Sequence, residues 1–205
     1  MQAHDHSQIA EVLGFWFGPL DGRGLAGDAA RRRWFQKDAD FDHEIETRFG
    51  ALRQGIIARE REHWRCEPRS LLAYVIVLDQ FSRNLGRGTP VMFETDAQAV
   101  EAALEGIARG DDTELGFSER VFLYMPLMHD ERLAMQERCV ELFSRFCDAL
   151  GAEARALGLD ANLRFAIQHR DIVARFGRFP HRNAILGRPS TPEEEAFLQQ
   201  PGSSF

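Results

Sequence analysis

The chain has 205 residues, a formal net charge of −7, 44% hydrophobic residues and 16 phenylalanines. Enough apolar side chain is present to bury a core, which excludes a disordered chain, and the length predicts one domain, 1–205. The acidic balance argues against a general nucleic-acid-binding protein, because neutralising phosphates requires an excess of lysine and arginine on one face.

Apolar residues recur three or four positions apart along most of the chain, which is the spacing of amphipathic helices. No stretch alternates in the manner of a β-strand. In chain order, the apolar runs predict helices over residues 9–17, 41–56, 68–85, 97–107, 118–146, 159–176 and 192–198. Short loops between consecutive helices favour antiparallel neighbours, so we expect an all-α array of about seven to nine helices.

Several residues supply helix-end signals. Asp38 or Asp40 is placed to cap the second predicted helix, and Ser118 is placed to cap the fifth. Pro126 should break or kink that fifth helix, because proline lacks the N–H of the backbone ladder. Thr191 begins a capping box followed by proline and two glutamates. These signals predict where the helices begin and end.

The N-terminal segment and the cysteines bear on location and cofactors. The first 20 residues have no cationic region, and the most apolar run, residues 70–78, is shorter than the roughly 20 residues that cross a bilayer. Cys66, Cys139 and Cys147 have no spacing typical of a disulfide framework or a zinc site. We therefore expect a cytoplasmic protein with reduced thiols, no membrane contact and no cofactor.

The most basic stretch lies near the C-terminus. Between residues 164 and 188 there are six arginines against the single acid Asp171, a net +5 in an acidic chain. Guanidinium groups bind carboxylate or phosphate oxygens in pairs, so this stretch predicts an anion site. Its ligand-binding residues are predicted to be Arg178, Arg182, Asn183 and Arg188. Alternatively, these arginines pair with Glu193–Glu195 or Asp79, or cap the last carbonyls of neighbouring helices.

A second polar cluster interrupts the most apolar predicted helix. Asp79 and Arg83 are four residues apart and meet on one face of that helix. Polar groups in such a helix are costly without partners, so a buried ion-pair network is expected, with Arg83 and Arg87 as further anion-binding candidates. Asp79 is a candidate catalytic base, or orients His181. Alternatively, it only neutralises Arg83 or Arg178.

The third cluster is centred on His129. If Pro126 interrupts its helix, His129 lies near a helix start, where the positive end of the dipole favours a neutral imidazole suited to a general base or a metal ligand. Alternatively, the imidazole donates to a backbone carbonyl or an acid. His63, Asp130 and Asp171 could join His129 around a metal, but their spacing is not diagnostic, so no metal is predicted.

Three segments together resemble a known bacterial family. They are residues 78–84 (LDQFSRN) with Arg87, residues 124–129 (YMPLMH), and residues 175–188 with the following STPEE. They are similar to the domain of unknown function 924, over roughly Val12 to Leu198. The resemblance implies an all-helical fold related to tetratricopeptide repeats. It implies no catalytic role, and Asp130 stands where the family pattern has a serine.

The three clusters suggest one function if folding brings them together. We expect a binding module with an Arg/His-lined polar site, whose partner is a small anion with a carboxylate or phosphate group, or an acidic peptide or protein. The alternative is an enzyme acting on a small anionic substrate, with His129 or His181 as acid/base. In a second alternative the arginines only hold the fold.

Overall fold

The computed structural model describes residues 3–204; Met1, Gln2 and Phe205 lie outside the described residues. Helices account for 73% of the chain, and residues 3–204 contain no β-strand, only an isolated bridge between Leu20 and Ala26. The predicted all-α class is confirmed. None of the described helices combines the length and the apolar character needed to span a bilayer.

The α-helices vary from four to 19 residues. In chain order they are α1 (Ala3–Phe17), α2 (Asp28–Arg33), α3 (Ala39–Ile57), α4 (Pro68–Ile76), α5 (Ser82–Leu85), α6 (Asp96–Arg109), α7 (Phe117–His129), α8 (Leu133–Leu150), α9 (Glu153–Ala156), α10 (Leu159–Phe176) and α11 (Pro192–Leu198). A π-helical turn, Val77–Phe81, joins α4 to α5. The predicted helices over 9–17, 41–56, 68–85 and 159–176 are confirmed, whereas the short helices α2 and α9 were not predicted.

The chain forms two compact units. The first contains Met1–Arg87 and Val91–Pro126, and the second contains Gly88–Pro90 and Leu127–Phe205. That the chain acts as one domain, 1–205, stays a prediction.

The core of the first unit is aromatic. Phe15 of α1 stacks on Phe41 of α3 at 5.1 Å between ring centroids and meets the edge of Phe49 at the same distance. The indole of Trp16 meets Phe122 of α7 edge-on at 5.5 Å. Stacked and edge-on pairs add to the free energy gained by burial, so these rings fix α1 against α3 and α7.

The core of the second unit lies along α8 and α10, which pack against each other. Ile172, Val173 and Phe179 are buried together, and Phe176 and Phe197 cover them. Phe179 follows the left-handed Gly177 that ends α10. The turn at Gly177 therefore places the basic segment beside this core.

The structure corrects two predicted helix ends and confirms two others. Asp38 caps α3 through the N–H groups of residues 40 and 41, and Thr191 forms the predicted capping box. Ser118 does not cap α7: the helix begins at Phe117, and the Ser118 hydroxyl accepts from the N–H of Ala26. Tertiary contacts have taken this hydroxyl away from the helix end.

Of the two outcomes predicted for Pro126, the break is wrong, and the kink stays a prediction. Helix α7 continues through Pro126 to its last residue, His129. A proline removes one backbone hydrogen bond, but the neighbouring residues Phe122, Leu123 and Leu127 are buried, and this packing holds the helix together. His129 thus lies at the negative end of a helix dipole, and the argument from a helix start does not apply.

A glycine lets α4 and α6 approach closely. A Cβ atom on Gly106 of α6 would overlap the Cδ2 atom of Leu71, which is fully buried. In contrast, Gly14 of α1 is exposed and has open space around the position of its missing Cβ.

We expect Gly106→Ala to lower the free energy of unfolding by about 1–3 kcal/mol, because the added methyl group overpacks a fixed core. The matched variant Gly14→Ala should raise it by about 0.5–1 kcal/mol, because alanine favours the helix. Urea unfolding of both variants measures the difference. Equal effects of the two substitutions would contradict the close packing of α4 and α6.

Candidate functional site

Arg178 holds the beginning of α11. Its Nε and Nη2 donate to the two carboxylate oxygens of Glu194 at 2.7 and 2.8 Å. Glu194 also accepts from the N–H of Thr191 at 2.8 Å, as the third residue of the capping box. The hydrogen bonds from Arg178 and Thr191 lower the pKa of Glu194 to about 2. The cation of Arg178 is therefore engaged by the protein's own carboxylate.

Arg188 connects the end of the basic stretch, residues 164–188, to Glu131. It donates to Glu131 with Nη1 at 2.6 Å and Nη2 at 2.9 Å, and Glu131 also accepts from the N–H of Phe179 at 2.8 Å. Burial acts to raise the pKa of Glu131, but these donors outweigh it and the pKa lies below its ordinary value. Asn183 accepts from Arg188 and donates to Ser190 and Glu194. Arg178, Asn183 and Arg188 thus hold the loop together.

Arg182 contacts the end of α7 and an aromatic ring. It is buried, its Nη2 donates to the backbone carbonyl of His129 at 2.8 Å, and its guanidinium lies over the ring of Phe179 at 4.6 Å. Next to it, the amide of Gln136 donates to the carbonyls of Met128 and Asp130. Arg182 and Gln136 therefore replace the hydrogen bonds that the last carbonyls of α7 lack.

Three histidines lie near Arg182. The ring of Phe179 meets those of His169 and His181, each with centroids 5.6 Å away, and Arg182 joins them to His129. We call His129, His169, His181 and Arg182 the imidazole cluster. The structure thus brings together the predicted residues His129, His181 and Arg182.

His169 was not predicted. It lies on α10 at helical spacing with the buried Ala166 and Val173, a pattern that could have shown its burial. Burial, with smaller contributions from the nearby His129, His181 and Arg182, lowers the pKa of His169 to about 3 against the raising effect of the Phe165 carbonyl. His169 is therefore neutral at physiological pH, and its Nδ1–H donates to that carbonyl at 2.7 Å.

The predicted buried network around Asp79 is confirmed in the first unit. Asp79 is 1% exposed, lies in the π-helical turn and accepts from Arg83 at 3.2 Å and from Gln80 at 2.6 Å. Arg83 also donates to Asp96 at 2.7 Å, and Arg87 pairs with Asp42 at 2.7 Å. That this segment and the imidazole cluster form one site stays a prediction.

The residues considered as metal ligands have other partners. His63 lies 3.1 Å from a carboxylate oxygen of Asp5, Asp130 pairs with Arg132 at 2.6 Å, and Asp171 pairs with Arg170 at 2.6 Å. Among residues 3–204, no group of three or more histidines, cysteines or acids is arranged to hold a metal ion.

These features define a class: an all-α protein with arginine-rich polar clusters that mostly hold its own helix ends. The chain belongs to the bacterial family of proteins of unknown function DUF924, whose model matches residues 12–202. It is similar to a solved protein of unknown function from Agrobacterium tumefaciens, with 39% identity, a TM-score of 0.80, and coverage of 95% of this chain and 98% of that one. The curated proteins contain no match. The predicted family resemblance is confirmed.

The low pKa of His169 predicts a loss of stability in mild acid. Below about pH 6.5 the unfolded chain binds a proton at this residue and the folded chain does not, so stability falls toward pH 3 by up to about 1.4 kcal/mol per pH unit. His169→Gln keeps an N–H donor for Phe165 and lacks this titration. We expect its unfolding free energy, measured in urea from pH 7.5 to 4.5, to fall less steeply than that of the wild type.

The exposed Gly14 supplies a control, because Gly14→Ala changes no titratable group and its pH curve should run parallel to that of the wild type. The contributions of His129 and His181 remain in all three proteins and cancel in the comparison. Parallel curves for His169→Gln and the wild type would show that His169 takes up its proton without unfolding.

Proposed function

We propose that this protein is a binding module, and that its imidazole cluster recognises the carboxylate of a small organic acid or of an acidic peptide. The observation that carries the proposal is that the imidazoles of His169 and His181 and the guanidinium of Arg182 meet at Phe179, and that His129 is close enough to His169 to act on its pKa. Arg182 carries a positive charge, and the imidazoles of His129 and His181 can donate hydrogen bonds, so these groups favour an anion at such a place.

The hydrogen bonds of the two neighbouring acids, Glu131 and Glu194, bear on this proposal. Both oxygens of Glu131 accept from Arg188, and both oxygens of Glu194 accept from Arg178. Glu131 also attracts Arg182, and both of its oxygens already serve Arg188, so an added carboxylate would share Arg182 with a group that is bound elsewhere.

The geometry also suits recognition in a partly dry environment. The aromatic face of Phe179 holds the plane of Arg182, which reduces the side-chain entropy lost when the fork binds an anion. Arg182 is 6% exposed, and electrostatic attraction is stronger where water is excluded. His169 contributes as a neutral group whose orientation the Phe165 carbonyl fixes.

The enzyme hypothesis is the second candidate. Imidazoles next to a guanidinium could transfer protons to or from a bound anion, and His129 and His181 are half-buried, so both keep some solvent access. Asp79 offers less support as a catalytic base, because it is buried and accepts from both Arg83 and Gln80. Turnover of a bound organic acid or phosphoester, lost in His181→Gln, would favour this candidate over the binding module.

We expect succinate and a glutamate-rich peptide to bind the full chain in low salt and Arg182→Ala to weaken both at least tenfold, because the fork that holds the carboxylate is removed. Isothermal titration calorimetry measures the affinities, with inorganic phosphate as a separate arm. Arg164→Ala is the matched control, since Arg164 belongs to the same basic stretch but is exposed and paired with Asp160.

Arg182 also caps α7, so its variants are first compared with the wild type by thermal melting. If Arg182→Ala does not fold, His181→Gln replaces it and should weaken binding as well. The proposal is wrong if neither succinate nor the peptide binds saturably, or if Arg182→Ala and Arg164→Ala bind with wild-type affinity.

A further inference from the structure

Arg53 of α3 is a buried cation with few partners. It is 6% exposed, and its Nε donates to the hydroxyl of Ser82 at 2.8 Å. Its Nη2 is buried and has no hydrogen-bond partner among residues 3–204. A neutral hydroxyl replaces little of the hydration that a guanidinium loses on burial, so Arg53 is costly to the fold as it stands.

Other arginines of the first unit pair with carboxylates. Arg65 pairs with three glutamates, Glu62, Glu101 and Glu105, at 2.5 to 2.9 Å. Arg83 pairs with Asp79 and Asp96. Burial acts to lower the pKa of Arg65 and of Arg83, but their carboxylates outweigh it and raise both. For Arg53 burial prevails and the pKa is lowered.

Two glutamates lie near Arg53 without pairing with it. Glu94 and Glu46 both act to raise the pKa of Arg53, so their carboxylates are close enough to attract the guanidinium, yet neither forms a hydrogen bond with it. Both side chains are exposed and can move. One buried cation and two movable carboxylates therefore lie close together in this part of the first unit.

A glycine opens the surface between these charges. Glu46, Gly50 and Arg53 are four and then three residues apart, so they share one face of α3. The Oε1 atom of Glu46 lies 2.9 Å from the position that a Cβ on Gly50 would take, so its carboxylate lies over the glycine, one turn from Arg53. Glycine inside a helix is unfavourable, and here the missing side chain leaves a notch one turn from the cation that the flexible carboxylate of Glu46 covers.

We propose that the notch formed by Glu46, Gly50, Arg53, Ser82 and Glu94 binds a small zwitterion of the amino-acid type. When the flexible carboxylate of Glu46 moves off the notch, the guanidinium of Arg53 receives the carboxylate of the ligand, and Glu46 and Glu94 receive its ammonium group. A simple anion would meet repulsion from the two glutamates, and a simple cation would meet repulsion from Arg53. Only a ligand that carries both charges satisfies the whole notch.

The test is a nitrogen-15 NMR spectrum of the arginine Nε–Hε groups of the full chain, with the Arg53 signal assigned by its absence in Arg53→Lys. Glycine and β-alanine are titrated separately, and acetate and methylammonium are the single-charge controls. We expect a saturable shift of the Arg53 signal with at least one amino acid, at an affinity at least fivefold above that of either control. The absence of a saturable shift with both amino acids, or equal binding of acetate, would overturn the proposal.

Gly50→Ala separates ligand binding from fold stability. The added methyl group displaces the flexible end of Glu46 and fills the notch, whereas alanine favours the helix, so the variant should fold and lose at least tenfold in amino-acid affinity. Gly14→Ala on α1 is the matched control and should bind as the wild type. If Gly50→Ala does not fold, Glu46→Gln takes its place and is expected to weaken binding at least threefold. Wild-type affinity in the folded variant would contradict the proposed site.

Discussion

An arginine side chain that leaves water needs oxygen atoms to replace its hydration, and carboxylates do so with the most favourable energy. This constraint shapes the fold, because all but one of the 25 basic residues are arginines; the exception is Lys37. The pairs of Arg87 with Asp42 and Arg188 with Glu131 join positions 45 and 57 residues apart. Removing either partner would leave a partly buried charge unpaired, so these pairs restrict which helix arrangements are stable.

The same constraint bears on which cations meet a ligand. Arg178 and Arg188 lie in the most basic segment of the chain, yet Glu194 and Glu131 engage both, so charge counting along the sequence overstates the anion site. Two buried cations have other contacts as well: Arg182 caps a helix from within the imidazole cluster, and Arg53 donates to a hydroxyl. The two proposed sites are built on these two cations. The family match adds the fold and leaves the function to be established.

Much of the fold was readable from the sequence because helix signals are local. The 3.6-residue period located α3 and α10, and Thr191 began α11 as predicted. The pair of Asp79 and Arg83, four residues apart, was predictable for the same reason. The site was less predictable, because the partner of Arg188 is distant in the chain and no spacing reveals it. Packing also carried α7 through Pro126, which a rule based on local hydrogen bonds excludes.

The central claim is that internal carboxylates hold Arg83, Arg178 and Arg188 in the fold, and that the proposed ligands are recognised at Arg182 and Arg53. One arginine Nε–Hε NMR titration of the full chain, with succinate and then with glycine, tests this most directly. The account predicts that succinate moves the Arg182 signal and glycine moves the Arg53 signal, while the signals of Arg83, Arg178 and Arg188 stay in place. Movement of those three signals, with Arg53 and Arg182 unchanged, would contradict it.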